Sequence, residues 1–369
     1  MIIQNLTLQN FRNYPKKVFS FSPDATIIIG DNAIGKTNLM EAIFFLSTGK
    51  SFRAEKDAEM IEFGKEVGRV GGEIIQSTNS QINKSTNEKI ELEIVLTRGE
   101  VMGMNTPVKK YTVNGVGKRM VDFVGELKTV LFWPEDLELV TDSPSLRRRY
   151  LDFVLVQADR EYRRSLVSYE KGLRQRNKVL EAIRERGAHR HQLLFWDQLL
   201  IKAGEYITRK REEYINYLNN SHPPAGGLNS QIDNYHLEYD KSVISEARLA
   251  QYSEEEVAAA ATLVGPHRDD MGFSLNSTPG VEARDLSHFG SRGEQRLAIL
   301  WLKLGELAYI EETTGEKPVL LLDDIFSELD HEHRKIIFDM IGNQQTIMTT
   351  TDMHLLEKEK IKDAKMVEL

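Results

Sequence analysis

Along the first thirty residues apolar and polar side chains alternate in strand fashion. Ile3, Leu6 and Leu8 mark one run, and Val18, Phe19 and Phe21 a second, closed by the turn Ser22-Pro23-Asp24. Two strands are expected, joined at Phe11-Arg12-Asn13-Tyr14. Residues 25–29 are continuous and β-branched, the pattern of a buried strand, and residues 38–46 read as a helix. Alternation returns over residues 67–75 and 90–96, which predicts a meander on the same lobe. Between them residues 76–87 are polar and of low complexity, the composition of a poorly ordered hairpin tip. Asn114-Gly115-Val116-Gly117 predicts a glycine-rich hairpin connection, and residues 127–133 another apolar strand stopped by Pro134.

After Ser143-Pro144 the period changes to that of helices. Leu166, Tyr169, Leu173, Leu180 and Ile183 form one stripe, and Trp196, Leu199, Leu200, Ala203 and Ile207 a second. Gly187-Ala188-His189 separates them, which predicts an antiparallel helical hairpin. The repeat is short and Arg176 interrupts it, so a long coiled coil is excluded. Residues 219–227 read as a loop. Near the C-terminus an apolar strand over residues 318–322 ends in Asp323 and Asp324. Upstream, Ser291-Arg292-Gly293-Glu294-Gln295-Arg296 opens a helix carrying Leu297, Ile299, Leu300, Leu302 and Leu304.

Composition narrows this picture in three ways. No apolar run of the 369 residues approaches the length a membrane helix needs, and residues 1–6 lack the pattern of a secretory signal. The absence of cysteine excludes disulfides and thiolate metal sites, and a cytoplasmic location is expected. The net charge of −8 argues against a uniformly basic nucleic-acid binder. Between residues 143 and 215, however, seventeen Lys or Arg stand against ten Asp or Glu. That local excess makes Arg147, Arg148, Arg149, Arg160, Arg163, Arg164, Arg174, Arg176 and Lys178 candidates for phosphate contacts with DNA.

The chemistry is concentrated in Gly30-Asp31-Asn32-Ala33-Ile34-Gly35-Lys36-Thr37, a G-x-x-x-x-G-K-[ST] loop with a strand before it and a helix, opening at Asn38, after it. It predicts bound ATP. Backbone N–H groups and the helix N-terminus would hold the phosphates, Lys36 would reach the β/γ oxygens, and Thr37 offers a hydroxyl to Mg²⁺. Asp323 and Asp324 have the form of the second nucleotide motif: Asp323 would hold Mg²⁺ opposite Thr37, and Asp324 would polarise the attacking water. Parallel strands would bring the two motifs together.

Taken with this order of motifs, Ser291, Arg292, Gly293 and Gln295 resemble the signature motif of ABC-type ATPases, which completes the nucleotide site of a second subunit. Ser327-Glu328-Leu329-Asp330 resembles the D-loop, with Ser327 and Asp330 as its polar residues. At the place of the switch histidine stand Thr349-Thr350-Thr351-Asp352, leaving Thr351, Asp352 and His354 as alternatives for sensing the γ-phosphate. Further blocks, Phe11 to Tyr14, Ser51-Phe52-Arg53, Pro134 to Leu137, Arg147 to Asp152 and Gly265-Pro266-His267-Arg268-Asp269-Asp270, occur in an order similar to that of the RecF recombination and repair ATPases.

That resemblance implies an α/β fold: an ABC-type head built from residues 1–130 and 262–369, with a helical lobe of residues 131–261 inserted. It places Arg12 where it could swing over a bound nucleotide. It also implies ATP-dependent dimerisation and DNA binding at gaps and single-strand/duplex junctions, slow hydrolysis with Mg²⁺, and cooperation with RecR and RecO in loading RecA. The competing class, the ATP-binding subunit of a membrane transporter, would be shorter and carry a closer LSGGQ sequence.

Overall fold

The computed structural model describes all residues except 79–85, 221–233, 276–282, 328–330, 353 and 355–362. Its internal contacts divide the described chain into two units. The first comprises Met1–Asp136 and Glu306–Leu369, the second Leu137–Asn220 and Asn234–Gly305. Residues 262–305, expected with the head, therefore group with the helical unit.

The first unit contains two sheets. One is antiparallel, in the order Tyr14–Ser20, Ile2–Phe11, Val67–Thr78, Thr86–Thr97, Lys109–Val113 and Val116–Lys118. The last two strands are joined by Asn114-Gly115 alone. Both turn residues have positive φ, 50° and 74°, as a two-residue turn matched to strand twist requires, so Val116 and Gly117 belong to the strand. The long strands continue to Thr78 and resume at Thr86; the core of the expected polar tip lies outside the described residues.

The other sheet is parallel, in the order Thr129–Phe132, Val319–Asp323, Thr346–Thr350, Ala25–Ile29 and Lys365–Glu368. Its four inner strands are almost wholly buried, which fits a sheet covered on both faces, while the edge strand Lys365–Glu368 is largely exposed. The helix Lys36–Thr48 touches both sheets, and almost every side chain on it is buried. Gln345 ties the strands together at one edge: its amide exchanges two hydrogen bonds with the Ile3 backbone and donates a third to Ser22 O.

The second unit is built on the antiparallel helices Arg160–Arg186 and Leu194–Asn220, preceded by Pro144–Ala158. Asp159 caps the first long helix by accepting from the N–H groups of Glu161 and Tyr162, and Gly187, in the left-handed conformation, ends it. A three-stranded antiparallel sheet of Tyr235–Asp240, Asp270–Leu275 and Arg284–Asp285 completes this unit. The expected helical hairpin is present, and no longer coiled coil occurs among the described residues.

Candidate nucleotide site

The loop of residues 30–37 leaves the Ala25–Ile29 strand and runs into the Lys36–Thr48 helix. Ala33 and Gly35 both have positive φ, 65° and 123°. At Gly35 a Cβ would stand 2.7 Å from the side chains of Asn13 and Tyr14, so only glycine fits. Those two residues hold the loop from outside. Asn13 Nδ2 donates to Ile34 O at 2.8 Å and the Tyr14 hydroxyl donates to Gly35 O at 3.1 Å. Because a trans peptide directs its C=O and N–H oppositely, fixing these carbonyls outward turns the N–H groups of Gly35 and Lys36 the other way. Burial pushes the Tyr14 phenol up to about 12, so it stays a donor. Lys36 is buried, its ammonium donating to Gly30 O at 2.6 Å and Asp31 O at 2.9 Å, while Asp31, Asn32, Ala33 and Ile34 are exposed.

The acids stand at the end of the Val319–Asp323 strand. That strand is parallel to the loop strand in the same sheet, as expected, with Thr346–Thr350 between them. Asp323 is buried and accepts from Thr349 Oγ1 at 2.7 Å, with the Thr37 hydroxyl near enough to favour its charged form. Burial raises its pKa; the Thr349 hydrogen bond, the nearby Thr37 hydroxyl and the charges of Arg53 and Lys36 oppose that rise. The Thr37 hydroxyl and the Asp323 carboxylate, both at the edge of a phosphate loop, form an oxygen donor pair, which fits Mg²⁺, a cation that needs few protein ligands. No cluster of three or more metal-ligating side chains occurs among the described residues. Asp324 follows with φ 51°, its N–H donating to Thr349 Oγ1 at 3.0 Å and its carbonyl accepting from Ser327 Oγ at 2.8 Å. Asp330 lies outside the described residues.

Two expected contacts are differently placed. Arg12 makes a two-pronged ion pair with buried Glu41, at 2.7 and 2.6 Å, and donates to Glu59 O. Its guanidinium is committed to a carboxylate inside the nucleotide helix, which would be costly to bury unpaired. Gln295 also turns inward: it is buried, and its amide donates to Leu286 O at 3.0 Å. Ser291, Arg292 and Gly293 are exposed, and Ser291 and Glu294 form a reciprocal capping box.

The family model described as RecF/RecN/SMC N terminal domain matches residues 2–368. The DNA replication and repair protein RecF of Herpetosiphon aurantiacus is 36% identical over 96% of this chain and 94% of its own length. The chain belongs to the RecF family. The RecF of Lachnoclostridium phytofermentans is 34% identical over 98% of this chain and 96% of its own. Solved structures of the recombination mediator protein RecF-ATP and RecF-ATPrS in the RecFOR pathway superimpose with TM-scores of 0.82 and 0.80. They are 32% and 33% identical, each over 96% of this chain, and cover 93% and 94% of their own. RecF membership fixes the ABC/SMC-type ATPase class and, with it, the α/β head expected from the motifs.

In this RecF-family chain the basic residues of the helical unit divide into two groups. Arg147 grips Asp270 through two nitrogens at 2.7 and 2.9 Å, Arg148 donates to Asp269 O, and Arg149 stacks over the Phe153 ring at 5.3 Å. Arg163 is buried and donates to Val156 O; Arg176 is buried between Asp197 and Glu256. These side chains hold the unit together, which corrects the assignment of Arg147, Arg148, Arg163 and Arg176 to an open phosphate-binding face. Arg160, Arg164, Lys171, Arg174 and Lys178 are exposed, and their spacing puts them on one side of the Arg160–Arg186 helix. Among the described residues no helix is long and apolar enough to cross a membrane.

Four residues around the candidate nucleotide site were missed. Arg53 donates to Asn38 Oδ1 at 3.1 Å and its charge reaches Asp323. Its signal was present in the basic Ser51-Phe52-Arg53 loop. Asn13 and Tyr14 lay within a noted block, but nothing in their residue types announces a grip on carbonyls twenty-one residues away. Thr349 was passed over for its neighbours.

Proposed function

We propose that this chain is a DNA replication and repair ATPase that binds DNA at gaps and single-strand/duplex junctions when ATP is bound, and releases it on slow hydrolysis. The observation that supports this most is the placing of the phosphate loop and Asp323 on strands of one parallel sheet, with Thr349 between them, in a chain related to RecF along nearly its whole length. ATP would lie on the N–H groups of residues 30–37, with Lys36 moving from the loop carbonyls onto the phosphates and Arg53 adding a second cation. Thr37 and Asp323 would hold Mg²⁺, which neutralises phosphate charge when bound. Asp324 would take a hydrogen bond from the attacking water and draw off its proton as the γ-phosphorus bonds to the water oxygen and its bond to the β–γ bridging oxygen breaks, giving phosphate and ADP, which keeps that oxygen.

In this reading the exposed Ser291 end of one copy meets the nucleotide of another, so ATP joins two copies. DNA would lie along the Arg160 to Lys178 stripe. The solved RecF relatives belong to the RecFOR pathway, which supports cooperation with RecO and RecR, with RecA downstream. The family match over the whole chain gives the transporter reading no support.

Lys36→Ala tests the coupling. ATP affinity is expected to fall at least a hundredfold and ATP-dependent DNA binding to disappear in an anisotropy titration with a gapped duplex. Undiminished ATP-dependent DNA binding in this variant would refute the reading.

A further inference from the structure

The strand Thr346–Thr350 separates the strand that carries the phosphate loop from the one that carries the acids, so something on it must connect them. In the sheet register Asp323 stands opposite Thr349, and Thr349 opposite Ile28. Thr349 is fully buried. Its single hydroxyl proton is directed at Asp323 Oδ1, at 2.7 Å, and the same oxygen accepts the N–H of Asp324 at 3.0 Å. One hydroxyl therefore fixes the carboxylate rotamer of the first acid. It also satisfies the backbone that carries the second through an unfavourable left-handed conformation, φ 51°. Just beyond it the strand runs into a hydrogen-bonded turn: Thr350 Oγ1 donates to Asp352 O and accepts from its N–H, and Asp352 Oδ1 accepts from the N–H of His354.

We propose that Thr349 is a positioning residue for ATP hydrolysis. It sets the geometry of Asp323 and Asp324 together and ties both to the strand end at Thr350, which is hydrogen-bonded to Asp352. This rests on the ATPase reading above. A hydroxyl is required because the position needs a donor and an acceptor on one atom within a buried strand. Valine has the same shape and neither function, while serine keeps both.

The test compares Thr349→Val and Thr349→Ser in the full chain. For Thr349→Val, kcat is expected to fall about ten- to hundredfold with KM for ATP changed less than about threefold, the range for loss of a group that orients a ligand. Thr349→Ser should recover kcat to within about threefold of the wild type. A readout without turnover accompanies this, the Mg²⁺ titration of a fluorescent non-hydrolysable ATP analogue. Its midpoint should rise about tenfold in Thr349→Val, while the analogue's affinity with Mg²⁺ chelated stays unchanged. If Thr349→Val does not fold, Thr349→Ala is compared with Thr349→Ser on the same two readouts.

A valine variant with wild-type kcat and Mg²⁺ midpoint would overturn the proposal, as would a lowered Tm with both readouts unmoved. Lys36→Ala separates the two failures. If it hydrolyses ATP normally, the assignment of hydrolysis to this phosphate loop has failed; if it is inactive while Thr349→Val is normal, only the positioning role falls.

Discussion

Asp269 is fully buried and accepts from Arg211 at 2.9 Å, from the Tyr239 hydroxyl at 2.5 Å and from the N–H of Ser242 at 2.7 Å. Arg211, also buried, donates in addition to Asp152 and to Pro266 O, so the charge of each is matched by several partners. His267 lies two residues away in the same block. Its Nε2 lies 3.0 Å from Thr262 O and its Nδ1 2.7 Å from the Tyr169 hydroxyl. The neutral ring satisfies both contacts, with Nε2–H donating and Nδ1 accepting from tyrosine. Burial, with Arg268 and Arg148 nearby, lowers its pKa to about 4, against the weaker pull of Thr262 O and Asp269. Because the folded pKa is depressed, the unfolded chain binds the extra proton between pH 6.5 and about 4, and stability is lost as pH falls through that window. The full effect is about 3 kcal/mol. His267→Gln keeps a donor and an acceptor but cannot titrate. Urea midpoints followed by tryptophan emission should fall less steeply from pH 6.5 to 4 in this variant than in the wild type. Parallel curves would show that this ring is not a source of acid sensitivity.

At the scale of elements, the helix Arg160–Arg186 shows where sequence information stops. Its apolar series, Leu166, Tyr169, Leu173, Leu180 and Ile183, was legible, as were its hairpin partner and the strand, loop and helix of the nucleotide site. The fates of its arginines were not, because a charge count weighs every cation equally. Yet Arg163 and Arg176 fall in step with that apolar series, at three- and four-residue spacings, which is why they are buried. What periodicity leaves out is the partner: Asp197, Glu256 and Thr262 come from other elements. Arg160, Arg164, Lys171, Arg174 and Lys178 lie on the outer side over about 27 Å at 1.5 Å per residue. Five phosphate contacts there would give a slope of log Kobs on log salt of about −4.5 on duplex DNA, and about −3.5 on a single strand. Replacing Arg164, Lys171 and Arg174 by Gln should make the duplex slope shallower by about 2.7. Arg147→Gln, which breaks the pair with Asp270, should lower Tm instead and leave the slope unchanged. An unchanged slope in the triple variant would remove the stripe from the DNA interface.

For the whole molecule, a net charge of −8 makes unassisted association with another copy, or with DNA, electrostatically unfavourable at long range. ATP binding as the condition for dimerisation follows if the exposed Ser291 end of one copy must find phosphate charge held by another. The capping box provides a sharp test of that idea. Ser291→Ala would remove both a cap and any contact in trans, costing about 1 kcal/mol of local stability and confusing the two effects. Ser291→Asp caps the helix equally well, but places an anion where the second copy's phosphates would dock. In a hydrolysis-blocked Asp324→Asn background, light scattering should show the 42.2 kDa chain doubling in mass when ATP is added. With Ser291→Asp added, ATP should still bind, as measured by fluorescence of a labelled analogue, but the mass should stay that of one chain. Gapped duplex should then be bound no better with ATP than without. An ATP-induced dimer that forms as readily with aspartate at position 291 would show that this helix end does not complete the site of a second copy. A dimer that forms without ATP would mean that the nucleotide is not what joins the chains.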